Sequence, residues 1–137
     1  TFMTANLQDL VESFSFFDSW EDRYRYLIDM GQRLPPMEES LKTDENIVRG
    51  CTSQVWLVAE VKDGHLHFVA DSDALIVKGL IYILLVAFQD KPVSGIGKID
   101  INEAFSQLGL DKHLSPNRRN GFFSMVERIQ SYGDQAS

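Results

Sequence analysis

The sequence predicts an α+β fold, in which helices come before and after a small antiparallel sheet. Apolar residues near the start of the chain recur at helical spacing, whereas residues 54–70 alternate between apolar and polar. Lys62-Asp63-Gly64-His65 interrupts that alternation with the Asp-Gly pair typical of a tight hairpin turn. Helices, a hairpin and further helices, in this order over 137 residues, indicate one compact domain spanning residues 1–137.

Two helices are predicted ahead of the sheet. The first is predicted by one apolar stripe at i, i+3, i+4 and i+7, formed by Leu7, Leu10, Val11 and Phe14. The second is expected to begin at Ser19, which has Asp22 three residues later, and to end at Gly31. Its inner face is predicted to consist of Trp20, Tyr24, Leu27 and Ile28.

Three short strands are predicted to form an antiparallel sheet with helices packed on it. Residues 47–49 are expected to form the first strand, 54–61 the second and 66–70 the third. On the second strand, one alternating face is expected to be buried, and it comprises Val55, Leu57, Ala59 and Val61.

The longest apolar run, residues 74–88, is predicted to be a buried core helix. It is shorter than the ~20 residues that a membrane span requires, and Lys78 interrupts it. Polar residues before the run, Asp71, Ser72 and Asp73, are expected to cap the helix start. Gly79 costs helix stability relative to alanine, so we expect another element, the sheet, to approach closely there.

Two more helices are predicted near the end of the chain. Asp100 with Glu103 is typical of a helix start, and Ser115-Pro116 of another. The inner stripe of the last helix is predicted to be Phe122, Met125, Val126 and Ile129. Residues 131–137 are expected to fray. Residues 1–3 are interpreted either as disordered or as including a remnant ahead of a native start at Met3.

Charge and cysteine content exclude several functional classes. The net charge of −7 and the pI of about 4.8 argue against a nucleic-acid interface, which requires a basic face, and are compatible with a protein partner. A single cysteine excludes an internal disulfide and a cysteine-based metal cluster held by this chain alone. An unpaired thiol, without a signal-peptide pattern or a membrane span, favours a cytoplasmic location.

The single cysteine, Cys51, lies in a stretch suited to a reactive thiol, at a predicted junction between a loop and a strand. Gly50 allows a tight or mobile tip, and Arg49 supplies a cation of the kind that lowers a thiol pKa. Thr52 and Ser53, with the backbone N–H groups of the turn, can stabilise an anionic sulfur. Apolar neighbours are expected to shelter the thiol, and they are Val48, Val55 and Trp56.

Two other interpretations remain open for Cys51. A free cysteine is commonly a small buried hydrophobe, which makes Cys51 inert core in a binding regulator. A base such as His113 would instead make Cys51 the nucleophile of a stand-alone enzyme.

His65 and His67 share a strand face, but no third ligand lies nearby in the sequence, so we expect both to be exposed and expect no metal or cofactor site.

Four blocks of the sequence, in order, resemble the SufE family of sulfur-acceptor proteins, which includes a CsdE branch. The first two blocks are Leu27-Ile28-Asp29-Met30-Gly31-Gln32-Arg33-Leu34-Pro35 and Val48-x-Gly50-Cys51-x-Ser53-x-Val55-Trp56. The other two are Ala70-Asp71-Ser72-Asp73-Ala74-x-Ile76-Val77-Lys78-Gly79-Leu80 and His113-Leu114-Ser115-Pro116-x-Arg118-x-x-Gly121. The chain departs from the family at Arg119, where the family pattern has serine.

The resemblance implies a SufE- and IscU-like fold and a role as a sulfur carrier, not an enzyme. Cys51 would receive persulfide sulfur from a cysteine desulfurase of the SufS or CsdA type, stimulate that enzyme and pass the sulfur to iron–sulfur cluster assembly. In the CsdE-like alternative, the acceptor lies in another pathway such as tRNA modification. Pyridoxal phosphate would belong to the partner, and the chain would be a monomer or a weak homodimer.

The resemblance also suggests a face on which the partner docks. Its expected residues are Asp71, Asp73, Lys78 and Arg118. For Arg118, a structural tie to a carboxylate or to loop carbonyls is the alternative to a direct part in binding.

Overall fold

The computed structural model describes residues 7–50 and 53–136 and has the predicted α+β class of fold. Predictions for residues 1–3, Cys51 and Thr52 lie outside the described residues. The helices and strands follow in the order α1 (Leu7–Ser15), α2 (Trp20–Gly31), β1 (Val55–Lys62), β2 (His65–Ser72), α3 (Leu75–Phe88), α4 (Val93–Ile96), α5 (Ile101–Gln107), α6 (Leu110–His113) and α7 (Pro116–Ala136).

Helix α3 is the centre of the core, as its apolar run predicts. Every residue from Gly79 to Phe88 is buried, and α2 packs directly on it. A β-carbon added to Gly79 would overlap the carbonyl oxygen of Leu27, and one added to Gly31 would lie 2.7 Å from the backbone nitrogen of Gly79. The expectation that the sheet approaches Gly79 was therefore wrong, because the close neighbour is α2. Gly31 therefore allows the close contact between α2 and α3, in addition to its place at the end of α2.

Strands β1 and β2 form an antiparallel hairpin, with Val55 opposite Ser72 and Lys62 opposite His65. The turn residues Asp63 and Gly64 both have positive φ, at 55° and 77°, as the predicted tight turn requires. The buried face of β1 is shorter than predicted, because Val61 at its far end is 43% exposed.

The prediction of three strands was wrong, since the sheet has two strands among the described residues. Residues 47–49 contribute only an isolated bridge, between Ile47 and Trp56. A 3₁₀ turn, Asp44–Asn46, ends just before this segment, and Gly50 turns the chain away just after it with φ of +90°. Too few extended residues remain between the two turns to make a strand.

The outer edge of β2 is covered by a side chain. The backbone N–H of Phe68 donates to Oε1 of Gln89 at 2.8 Å, and Nε2 of Gln89 donates to the carbonyl of Phe68 at 2.8 Å. Next to it, Leu66 exchanges backbone hydrogen bonds of 2.9 Å with Lys91 and Asp90. The segment that ends α3 therefore satisfies edge groups that a further strand would otherwise satisfy.

The start of α3 is built differently from the prediction. Ala74, not a polar residue, occupies the cap position and makes no side-chain cap bond. Of the three polar residues expected to cap the helix, Ser72 alone binds near its start, where Oγ accepts from the N–H of Ala74 at 3.2 Å. Asp71 and Asp73 bind other groups, described below.

The last helices follow the predicted signals, with one difference. Asp100 caps α5 by accepting from the N–H of Glu103 at 3.0 Å, and Ser115 Oγ accepts from the N–H of Arg118 at 3.3 Å at the start of α7. The tail predicted to fray is helical through Ala136, since a β-carbon on Gly133 would lie 2.9 Å from α4. Within residues 7–50 and 53–136, no helix has the length and apolar character needed to cross a membrane.

Candidate functional site

The described residues that flank Cys51 are joined by a backbone hydrogen bond, and residues 49–54 between them are termed the loop. The N–H of Val48 donates to the carbonyl of Val55 at 2.8 Å, which brings together the two ends of residues 49–54. Cys51 and Thr52 lie outside the described residues, so the site is defined by the groups that hold the loop and by the space beside it. That the Cys51 thiol is sheltered in the free protein stays a prediction.

The first half of the loop is attached to α7. Nη1 of Arg128 donates to the carbonyl of Ile47 at 2.9 Å. Gly50 packs so closely on the same helix that a β-carbon would lie 2.6 Å from Oγ of Ser124. Its φ of +90° also disfavours other residues. Gly50 is thus required by its conformation and by the contact with α7, while the mobile tip that it would allow stays a prediction.

The second half of the loop is attached to the connection between β2 and α3. The carbonyl of Gln54 accepts from Oγ of Ser72 at 2.7 Å, and the N–H of Gln54 donates to Oδ1 of Asp73 at 3.2 Å. Ser72 is 3% exposed, the one buried polar residue in the described core. Two of the three residues expected to cap α3, Ser72 and Asp73, therefore hold the loop that precedes β1.

A cavity of about 330 Å³ lies beside Ser53, between β1, α3 and α7. Its apolar lining comes from Val55, Val77, Leu80, Phe122 and Met125, and the remaining lining from Ser53, Ser115, Asn117, Arg118 and Gly121. Ser53 and Val55 were expected to lie near Cys51, but nothing in the sequence predicts that α3 and the start of α7 meet there. No pattern of residue spacing indicates the contact between α3 and α7.

The other predicted loop residues lie elsewhere. Val48 is buried, and together with the exposed Arg49 it borders a surface groove against α7. Trp56 follows Val55 on β1 and therefore points to the opposite face of the strand. Nζ of Lys42 lies there, 5.5 Å from the Trp56 ring centroid. The structure thus brings Val55 to the cavity but not Trp56.

Arg118 is held on the cavity wall by a tyrosine. Its Nη1 donates to the hydroxyl of Tyr24 at 3.0 Å, and no described carboxylate lies within ion-pair distance of its guanidinium. The structural tie considered for Arg118 exists, but to a hydroxyl rather than to a carboxylate or a carbonyl. Arg119 instead donates to the carbonyl of Asp111 at 3.4 Å and does not line the cavity.

Two of the expected docking residues belong to one charge network. Asp71 lies 3.2 Å from Lys42 and 3.5 Å from Lys78. Lys42 also donates to Glu39 at 3.1 Å, and the hydrogen bonds to Glu39 and then Asp71 raise its pKa above the ordinary lysine value. Lys42 was not predicted as a site residue, because the polar, acidic composition of residues 37–46 is typical of a solvated loop.

The histidines lie away from the cavity lining. The exposed His113 stacks on Trp20, with ring centroids 4.3 Å apart and an interplanar angle of 13°. His65 is exposed as predicted, whereas His67 is half-buried, contrary to the prediction, because its strand face meets Asp90, with Nδ1 of His67 2.7 Å from Oδ1 of Asp90. In the part of the chain that the structure describes, no three acidic, histidine or cysteine residues are grouped to hold a metal ion.

Comparison with known proteins gives consistent matches. A family model described as SufE, the Fe-S metabolism associated domain, matches residues 8–133. An uncharacterized SufE-like protein of Rhizobium meliloti is 47% identical over 131 residues, which cover 93% of this chain and 94% of that protein. A second uncharacterized SufE-like protein, from Rhizobium etli, is 46% identical over 130 residues, covering 92% and 88%.

A solved structure shares the fold. The solution structure of a hypothetical protein from Thermus thermophilus superimposes with a TM-score of 0.76 over 95% of this chain and 94% of that one. The identity is 19%, so this likeness concerns the fold alone.

Proposed function

The chain belongs to the SufE family, and from this premise we propose that it is a sulfur acceptor and carrier in Fe-S metabolism that works through Cys51. The observation that carries the proposal is the loop of residues 49–54. It is closed at Val48 and Val55, fixed at both ends to other elements, and adjoins the cavity at Ser53. The described residues on either side of Cys51 are therefore held beside the cavity.

The proposed chemistry is a thiol exchange on sulfur. The Cys51 thiolate attacks the outer sulfur of a persulfide on the donor protein. A new S–S bond forms at Cys51, the donor's S–S bond breaks, and its electron pair leaves with the inner sulfur as a thiolate. The proton of the outer sulfur travels with that sulfur, so the exchange needs no oxidant, reductant or metal.

The cavity suits the storage of the product. A persulfide reacts readily with thiols and oxidants, so a carrier benefits from an apolar space that keeps other reagents away. Val55, Val77 and Met125 offer such surface, and the Arg118 guanidinium supplies a positive charge near an anionic sulfur. We propose that Cys51 rests sheltered and is exposed when the partner docks, with Gly50 as the hinge.

The donor in this proposal is a pyridoxal-phosphate cysteine desulfurase of the SufS or CsdA type, which turns over faster once its persulfide is removed. The acceptor is an iron–sulfur scaffold complex. For docking, Asp73 and Lys78 are the better candidates among the expected residues, since Asp73 is exposed and the Lys78 side chain is 34% exposed. Asp71 is 15% exposed and already binds two lysines.

Mass spectrometry tests the proposal directly. The protein is incubated with a cysteine desulfurase and L-cysteine, and its intact mass and Cys51 peptide are measured. We expect the mass of one added sulfur atom, located on Cys51 and removed by a reducing thiol. Desulfurase turnover is measured in parallel and is expected to rise with the wild-type protein.

Cys51→Ala is the control, because it removes the sulfur and leaves the ends of the loop unchanged. It should carry no added sulfur and should not stimulate the desulfurase. Full stimulation by Cys51→Ala, together with no added sulfur on the wild-type protein, would contradict the proposal and favour a binding regulator.

A further inference from the structure

The cavity beside Ser53 is larger than a single sulfur atom requires. One buried water needs roughly 10–15 Å³ of such space, and this cavity measures about 330 Å³. That value lies at the small end of the range of roughly 300–1,000 Å³ found for sites that bind small molecules. It therefore has room for a ligand about as large as one amino acid.

The lining has a polar part and an apolar part. The polar groups Ser115, Asn117 and Arg118 come from the start of α7, and the apolar Phe122 and Met125 come from its next turns. Further apolar surface is supplied by α3 and β1. A ligand with one charged end and one polarizable, weakly hydrated end would match this division.

Arg118 indicates the sign of the charge. Its guanidinium has five N–H donors in a planar fork, of which one bonds to Tyr24. No carboxylate of the described residues pairs with it. A partly buried guanidinium without a counterion favours an anion, and a carboxylate fits the fork with two parallel hydrogen bonds.

We propose that this cavity binds a small persulfide that carries a carboxylate, of the size of cysteine persulfide, and that this molecule loads Cys51 without a desulfurase. The proposal rests on the proposed function, because Cys51 remains the acceptor. The carboxylate binds Arg118 and the sulfur end lies against the apolar lining. Cys51 thiolate attacks the outer sulfur, the ligand's S–S bond breaks, and the small thiolate leaves with the bonding pair while the outer sulfur keeps its proton.

The test measures the rate of persulfide formation on Cys51 of the full chain, without a desulfurase, against donor concentration. The two donors are L-cysteine persulfide and cysteamine persulfide, which has the same reacting group but no carboxylate. We expect the rate to saturate with the first donor and to rise linearly with the second. This comparison uses the wild-type protein and so does not depend on the folding of a variant.

Arg118→Gln and Arg119→Gln form a matched pair, since the two arginines are adjacent and each change removes one positive charge. Arg118→Gln should raise the half-saturating concentration of L-cysteine persulfide roughly tenfold or more, as expected for a charge-assisted hydrogen bond. Arg119→Gln should leave it within about twofold, because its guanidinium binds Asp111 away from the cavity.

Three outcomes distinguish the two proposals. A loading rate that saturates with donor concentration, and that requires both the donor's carboxylate and Arg118, supports the site. Equal, linear loading by both donors, with normal loading by a desulfurase, overturns the site and leaves the proposed function intact. No persulfide on Cys51 from any donor, including the desulfurase, overturns the proposed function and the site together.

Discussion

The backbone of Gly79 lies against the carbonyl oxygen of Leu27 with no space for a side chain between them. This contact sets the separation of α2 and α3, the two helices that hold Tyr24 and the cavity residues Val77 and Leu80. A substitution at this crossing therefore tests the frame on which the site is built.

Gly79→Ala is expected to lower the free energy of unfolding by about 1–3 kcal/mol or more, because the added methyl group forces the helices apart. Chemical denaturation measures the effect. Gly95→Ala is the matched control, since no atom lies within 4 Å of the added carbon, and it should change stability by less than about 1 kcal/mol. Equal effects of the two changes would mean that the α2–α3 contact is not tight.

Gly50→Ala should destabilise the protein by about 1–2 kcal/mol through its positive φ alone, with a further loss from the overlap with Ser124. Adding Ser124→Ala removes the hydroxyl and should recover the second part but not the first. Denaturation curves of the two single variants and the double variant measure this. Full recovery in the double variant would show that φ at Gly50 imposes no strain.

Ser72→Ala should reduce stability by about 1–3 kcal/mol, because two hydrogen bonds are lost: the one of 2.7 Å to the carbonyl of Gln54 and the one from the N–H of Ala74. We also expect slower sulfur loading of Cys51, since the loop loses an attachment. Ser94→Ala, at an exposed serine, is the control for stability and for loading rate. If loading by a desulfurase is unchanged in Ser72→Ala, the attachment at Gln54 has no role in transfer.

Gln89→Leu should cost about 1–3 kcal/mol, because the N–H and the carbonyl of Phe68 both lose their partner. Amide hydrogen exchange at Phe68 should accelerate. Gln107→Leu, at an exposed glutamine, makes the same chemical change as a control. Unchanged exchange at Phe68 in the Gln89 variant would contradict the role of this side chain as an edge cover.

The ion pairs of Lys42 are expected to make the stability of the protein depend on pH in the alkaline range. Its pKa is raised in the folded protein from an ordinary value of 10.5. Its ion pairs therefore stabilise the fold fully below that pH and are lost as the pH rises through the higher folded value. The stability difference between wild type and Lys42→Gln should be constant between about pH 7 and about pH 9 and then shrink. Lys112→Gln, at an exposed lysine, is the control for the removal of one positive charge.

Patterns local in sequence predicted most of the fold. The hairpin turn at Asp63-Gly64 and the buried run of α3 depend on nearby residues, and the structure confirms both. The prediction of a third strand was wrong because a pattern of three residues does not reveal the turns on either side of them, at Asp44–Asn46 and at Gly50.

The candidate site was predictable only in part. The cysteine motif indicated where the loop lies in the sequence. The loop is held, however, by residues far along the chain: Arg128 bonds to Ile47, and Asp73 bonds to Gln54. Arg118 was an expected docking residue because it lies in a block that resembles the SufE family. Its partner Tyr24, 94 residues away, carries no signal in the sequence.

The two attachments of the loop also limit where transfer can take place. A segment fixed at Ile47 and again at Gln54 can extend only a few residues, roughly 10 Å, from either anchor. In the proposed transfer, a thiol on so short a tether does not reach into a deep recess of the donor. The sulfur-bearing group of the donor would then cover most of the distance to Cys51.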